Sequence, residues 1–416
     1  MNAQSPVQSN LIAEPRGGWL SRAIAMPFVR ILDGIDEGLT EGTLEVRLPN
    51  TSVRILGGRS AGPMATVELK SWRAIMRLAW SGSVGWYEGW AAGEWASPDP
   101  VPLFDLFMRN RTTLGRAARA KGASRLFKRI RHAWRRNDRR GARRNILAHY
   151  DLGNDFYAAW LDSTMSYSSA IWAAGDDLSA AQRRKQAAIL DRMALVPGSS
   201  VLEIGCGWGG LAQEAHDRGA LVSAISLSPS QLAYARSHHA PAISFEQIDY
   251  RDVQGQYDAI ASVEMVEAVG ARYWSAYLDM VTRCLKPGGR AAIQFITIAD
   301  DVFEHYAESA DFIQTYIFPG GMLLSESRFQ ALAEERGLLW TDRQAMGVDY
   351  AHTLTRWREQ FDAAVLPSQF DGRFRRLWQY YLMYCEGGFR SGGIDVVQVT
   401  LVKPPRDAAL KQIDQP

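Results

Sequence analysis

Ser200-Val201-Leu202-Glu203-Ile204-Gly205-Cys206-Gly207-Trp208-Gly209-Gly210 is an apolar strand that runs into a glycine-rich turn and then a helix. Glycines are needed where backbone turns tightly and approaches a ligand closely, at the carboxyl end of the first strand of a doubly wound sheet. Dinucleotide-binding chains share such a turn. Glu203 discriminates between ligands, because a carboxylate beside the turn suits the ammonium of a methionine moiety and sits poorly against a pyrophosphate. Around this stretch, segments 201–204, 221–226, 258–263 and 290–295 read as strands alternating with helical patterns, which predicts a parallel, Rossmann-like α/β sheet.

Later turns carry the same reading. In Ala224-Ile225-Ser226-Leu227-Ser228-Pro229-Ser230-Gln231 no carboxylate follows the second strand, but Ser226 and Gln231 offer donors and acceptors to ribose hydroxyls and Leu227 can pack on adenine. Asp249-Tyr250-Arg251-Asp252 precedes the strand at 258, where the sheet would meet the adenine. Leu285-Lys286-Pro287-Gly288-Gly289-Arg290 is a turn leading into a late strand.

Working outward, 416 residues with 47% hydrophobic and 22% charged side chains suit a globular chain of more than one domain. No apolar run approaches the roughly 18 residues of a membrane-spanning helix, and the polar opening followed by an amphipathic stretch at 19–32 is not a secretory signal. The expected location is the cytoplasm. Cys206, Cys284 and Cys385 are odd in number and lack metal-ligand spacing, so they read as free thiols, with no disulfide framework and no metal site. The net charge of +2 hides an asymmetry: residues 109–144 hold fifteen Lys and Arg against one acid, Asp138, so this segment carries +14 and the remainder −12. Interleaved with Leu114, Leu126, Phe127, Ile130 and Trp134, these charges suit an anionic surface such as phospholipid headgroups or nucleic acid; a solvated linker reads equally well. The predicted organisation is a small α+β domain over 1–108, a basic helical linker over 109–144, a catalytic α/β domain over 145–404 and a tail over 405–416. In the first of these, strands are expected at 43–48 and 65–69 and a helix at 71–80, followed by a Trp- and Gly-rich run over 82–95.

His149-Tyr150-Asp151-Leu152-Gly153-Asn154-Asp155-Phe156-Tyr157, Met165-Ser166-Tyr167-Ser168, the glycine turn, Ser226 to Gln231, Ile317-Phe318-Pro319-Gly320-Gly321 and Tyr350-Ala351-His352-Thr353-Leu354 together resemble the cyclopropane fatty acid and mycolic acid cyclopropane synthases. The resemblance covers 145–403, and 42–110 resembles, with less distinctive motifs, the small N-terminal lipid-binding domain of the bacterial enzymes. It implies a class I methyltransferase fold with a helical lid insertion, and S-adenosylmethionine (SAM) as cofactor. It further implies a cofactor pocket lined by Tyr167, Ser168, Glu203, Gly205, Gly207, Gly209, Ser226, Leu227, Gln231, Tyr250 and Arg251. The implied partners are unsaturated phospholipid acyl chains at the inner membrane face, with no nucleic acid, and a homodimer is compatible.

The implied reaction brings an alkene into line with an electrophilic sulfonium methyl in a dry pocket; aromatic faces stabilise the resulting carbocation and a base removes a proton. Loss from the new methyl closes a cyclopropane, whereas loss from a neighbouring carbon leaves a methyl-branched alkene. In the family the base is assigned to a bicarbonate ion held near a glutamate and tyrosines, on which Glu267, Tyr350 and Tyr150 fall. Glu267 also reads as a carboxylate at a helix N-terminus, the tyrosines as satisfied core residues, and His149 as a structural histidine. Ser169, Ala268 and Ile296 stand where better-known members carry cysteine, histidine and histidine, which puts ring closure in question. Segment 300–325, with Phe303, Tyr306, Phe312, Ile313, Tyr316, Ile317 and Phe318, reads as an apolar lid or an ordinary core helix. A small-molecule or RNA methyltransferase and a non-catalytic lipid-binding protein are the competing readings.

Overall fold

The computed structural model describes residues 19–117, 152–308 and 311–405, which fall into two compact units dividing at 121/122. In the first unit α1 (Trp19–Gly38) precedes a four-stranded sheet of order β2-β1-β3-β4, built from β1 (Thr43–Arg47), β2 (Val53–Gly57), β3 (Met64–Leu69) and β4 (Trp95–Ala96). Strand β2 escaped the sequence reading because Val53 and Ile55 face solvent and only Leu56 is fully buried. The Trp- and Gly-rich run over 82–95, to which the sequence assigned no element, is largely helical: α2 (Arg73–Ala91) kinks at Gly82, where φ is 59°, and resumes. Helical spacing then sets Trp86 and Trp90 on the same face, and both pack on Trp95, at ring separations of 4.2 and 5.2 Å. Helices α3 (Val101–Arg109) and α4 (Arg111–Ala117) complete the unit. Arg109 pairs with Asp105 and Glu41, so the start of the basic segment is built into this unit. The remainder of that segment, from 118 to 144, lies outside the described residues, as do His149 and Tyr150.

The second unit is built on a seven-stranded sheet of order β10-β11-β9-β8-β5-β6-β7. Its strands are β5 (Ser200–Ile204), β6 (Leu221–Ile225), β7 (Ser244–Glu246), β8 (Tyr257–Val263), β9 (Leu285–Ile298), β10 (Leu339–Ala345) and β11 (Ile394–Val402). Strands β7, β6, β5, β8 and β9 run parallel, while β11 inserts antiparallel between β9 and β10. Apolar clusters cover both faces, one on Leu202, Ile260, Ile293 and Val399, the other on Val201, Ala259, Ala261 and Ala292. Alternate residues of the same strands thus serve opposite layers, as in a doubly wound sheet. The strand order reverses beside β5, so its carboxyl end and that of β8 open a crevice at the switch point.

Candidate active site

That crevice is a cavity walled by 164–168, Lys185, Gln186, 203–208, Gly210, 225–227, Gln231, 248–251, 263–265, Ala268 and Val269. Tyr167, Ser168, Glu203, Gly205, Gly207, Ser226, Leu227, Gln231, Tyr250 and Arg251 all contribute to it. Gly205 has φ of 80°, and a Cβ there would lie 2.7 Å from Met265 Cγ, so the turn has no room for a side chain. At Gly207 a Cβ would meet nothing within 4 Å, leaving backbone bare at the wall. Gly209 does not reach the wall; its Cβ would strike His239 and Phe245, so this glycine serves the packing of the turn. The motif after Tyr150 is tied to the turn: Trp208 Nε1 donates to Asn154 Oδ1 at 2.9 Å, and Asn154 Nδ2 donates to the Ser230 carbonyl at 3.2 Å. Ser226 Oγ donates to Gln231 Oε1 at 3.3 Å, which fixes this pair against each other on the cavity wall.

Glu203 is buried on the floor of the cavity, and its Oε2 has no hydrogen-bond partner. Burial pushes its carboxyl up to about 8, against the opposing pull of Lys185. A desolvated carboxylate with a free oxygen at a glycine turn fits a cationic amino group. The lining therefore fits SAM, a ligand that carries an ammonium and ribose hydroxyls. Arg251 is held against Asp249 by two hydrogen bonds and lies 5.4 Å from the Tyr250 ring centre, stiffening that wall.

Next to the cavity lies a second polar group, centred on a residue the sequence reading passed over. Glu264 follows β8 with φ of 48°. Its Oε1 accepts from Ser169 N and Gln294 Nε2, both at 2.8 Å, and its Oε2 accepts from Tyr350 Oη at 2.8 Å. Tyr350 is on α12 (Gly347–Ala363), where burial and the adjacent Glu264 push its phenol up. Glu267 sits in the 3₁₀ turn Val266–Ala268; its Oε1 accepts from the Ile296 backbone N–H, and its buried Oε2 is unpaired. Burial first, and then the charge of Glu264, push its carboxyl up to about 8. Glu267 and Tyr350 are not on the wall of the cofactor cavity but adjoin it through Glu264. Rings gather alongside: Tyr167 lies 5.2 Å from Trp357, 5.7 Å from Trp160 and 6.5 Å from Phe318, and its hydroxyl meets that of Tyr381 at 2.8 Å. Of the segment 300–325, Phe303 and Tyr306 are anchored in the core, Phe303 against Trp274 and Tyr306 by accepting from Leu323 N. Phe318 turns to the site aromatics.

Gln294 and Gln398 are fully buried neighbours on β9 and β11, in register with each other. Gln398 Nε2 donates to Gln294 Oε1 at 3.0 Å, and Arg192 Nε donates to Gln398 Oε1 at 3.0 Å, so a polar chain runs from the helix α6 (Leu178–Arg192) to Glu264. A polar residue inside Ala291-Ala292-Ile293-Gln294-Phe295-Ile296 was the available sequence signal, since buried amides need partners. Gln294→Leu should keep the shape, remove one of Glu264's donors and orphan the Gln398 amide. We expect about 1–3 kcal/mol of destabilisation in urea melts, together with a loss of turnover; an unchanged midpoint and rate would show the chain to be idle.

Residues 137–399 match the family model for mycolic acid cyclopropane synthetase. The chain belongs to this family. It is a SAM-dependent methyltransferase of the type that modifies lipid acyl chains. The tuberculostearic acid methyltransferase of Mycobacterium tuberculosis is 39% identical over 349 residues, 79% of this chain and 81% of that protein. The cyclopropane-fatty-acyl-phospholipid synthase of Escherichia coli K12 is 38% identical over 256 residues, 60% of this chain and 65% of that protein. The solved mycolic acid cyclopropane synthase CmaA1, complexed with SAH and CTAB, superposes with a TM-score of 0.58 at 27% identity, covering 63% of this chain and 98% of that one.

Proposed function

We propose that this family member transfers the SAM methyl group to a double bond of an unsaturated phospholipid acyl chain and releases an open-chain, branched product. Bound in the cavity, SAM supplies an electrophilic sulfonium methyl. The chain's residues then have two tasks, to shelter the cation left on the neighbouring acyl carbon and to take up a proton. Tyr167, Trp357 and Phe318 offer aromatic faces for the first, worth about 2 kcal/mol where water is excluded.

The observation that carries the open-chain reading is the position of the group able to take the proton. Glu267 has a free buried oxygen, yet it stands off the wall that receives the methyl donor, where Ala268 stands instead. A base so placed favours proton loss on the acyl-chain side over loss from the incoming methyl. Among the described residues a bicarbonate ion finds no free donor here: Ile296 N, Ser169 N and Tyr350 Oη are engaged by Glu267 and Glu264. The aliphatic Ile296 and Ala268 add no further donor. A relative that aligns over 79% of this chain and 81% of its own bears the name of a methyltransferase. Retention of Glu267 and Tyr350, and the likeness to the E. coli enzyme, favour ring closure as the second reading.

Membrane docking through the basic segment belongs to this proposal; among the described residues no helix is long and apolar enough to cross a membrane. The test is incubation with unsaturated phospholipid vesicles and SAM carrying a CD₃ group, followed by mass spectrometry before and after mild hydrogenation. A branched alkene takes up two hydrogens, while a cyclopropane does not. Product that resists hydrogenation would establish ring closure, and no added carbon would remove both readings.

A further inference from the structure

Lys185 is a buried lysine that neither the sequence reading nor the methyl-transfer chemistry accounts for. It lies on α6, is 3% exposed, and its ammonium reaches the cofactor cavity between Ser168 and Glu203. An ammonium carries three donors. Only one is engaged, by Ser168 Oγ at 2.6 Å. Asp162, Glu203 and Glu264 act on it through space, yet among the described residues no ion pair closes on it. Both Glu264 oxygens are taken by Ser169, Gln294 and Tyr350, and both Asp162 oxygens by Thr164 and Ser179. Glu203 Oε2 alone is unpaired.

Among the described residues one cavity wall thus presents an ammonium with two spare donors and a carboxyl group with a spare oxygen, which a cationic ligand group would hold ionised. An isolated buried charge of either sign is costly, and burial holds the Lys185 ammonium down to about 8. A ligand that brings one charge of each sign satisfies both groups at once; a ligand with a single charge leaves one of them unmatched. The amino-acid end of SAM is such a zwitterion.

We propose that Lys185, with Ser168 beside it, receives the α-carboxylate of the methionine moiety of SAM, while Glu203 receives its ammonium, so that the pocket selects the intact amino-acid end of the cofactor. Ser226, Leu227 and Gln231, the residues expected to meet ribose and adenine, follow β6 and make no hydrogen bond with Lys185.

The test uses the full chain without lipid and three probes that differ only at this end: SAM, its decarboxylated analogue with the same sulfonium and ammonium, and 5′-methylthioadenosine, which lacks both charges of the amino acid. Binding is read by titration calorimetry. Lys185→Met should weaken SAM about tenfold or more, as expected for a charge-assisted hydrogen bond, and leave the other two probes within about threefold. Lys185→Arg, which keeps the charge, should restore much of the preference for SAM. Equal weakening of SAM and the decarboxylated analogue, or no weakening of either, would overturn the proposal in favour of a purely structural lysine. If the methionine variant is too unstable to titrate, the unmodified chain still decides: binding of the decarboxylated analogue as tight as that of SAM rules the subsite out.

Discussion

Glu267→Gln should cost about 10²–10⁴ in turnover while leaving SAM affinity within about threefold, because removal of the base leaves the cofactor wall intact. The substitution keeps the side chain's size and can still accept from Ile296 N–H, so the turn at Val266–Ala268 is preserved. What it removes is the one carboxylate oxygen beside the aromatic rings that has no partner. The pH dependence has a definite sign. Burial raises the Glu267 carboxyl to about 8, so it is largely protonated at neutral pH and must ionise to act as a base. The sulfonium of bound SAM pulls that value down, so the single-turnover rate should climb with pH and level off at or below about 8. Loss of less than about fivefold in the variant, or a rate flat from about pH 6 to 9 in the unmodified chain, would transfer the role to another group.

The second large effect is expected at the cofactor. Glu203→Gln should weaken SAM about 10–100-fold, since it replaces a wall carboxyl group whose Oε2 has no partner among the described residues by a neutral amide. Proton linkage provides a sharper signature. In the free protein the carboxyl is raised to about 8 by burial, so below that pH it is mainly protonated. An ammonium beside it favours the ionised form, so binding releases a proton. Affinity should therefore improve as pH rises towards about 8 and fall, by at most about tenfold per unit, as pH drops below it. Calorimetry in two buffers of different ionisation heat reads the proton directly, and the release should disappear in Glu203→Gln. An equal slope in both proteins would assign the proton elsewhere. This experiment and the one on Lys185 address opposite ends of the same zwitterion.

Glu203, which anchors these expectations, has a position in the cavity wall that was legible from sequence because it depends on local order. A carboxylate two residues before the glycine at which an apolar strand ends must sit at the strand's carboxyl end, whatever the rest of the chain does. The same holds for Ser226 and Gln231, set by the turn after β6. Glu264 was not legible. Its neighbours Ser169, Gln294 and Tyr350 are separated from it by 95, 30 and 86 residues, and no spacing rule joins them. Lys185 was hidden for a related reason. On α6 it follows Gln182 and precedes Gln186, all three buried beside Ile189 and Leu190, so polar side chains share the inward face and the sequence pattern does not separate a buried side from a solvated one.

The sequence by itself determined the strand–turn–helix at the switch point of the sheet, the family, and which residues stand beside that turn. The tertiary structure alone decided which carboxylate keeps a free oxygen and which is fully hydrogen-bonded. Glu264 and Glu267 are three residues apart and chemically identical. One meets donors carried in by β9 and α12, and the other meets a single backbone N–H. That difference is set by the register of strands paired across the sheet and by burial that withholds water from the remaining oxygen. Neither is encoded at the two positions themselves.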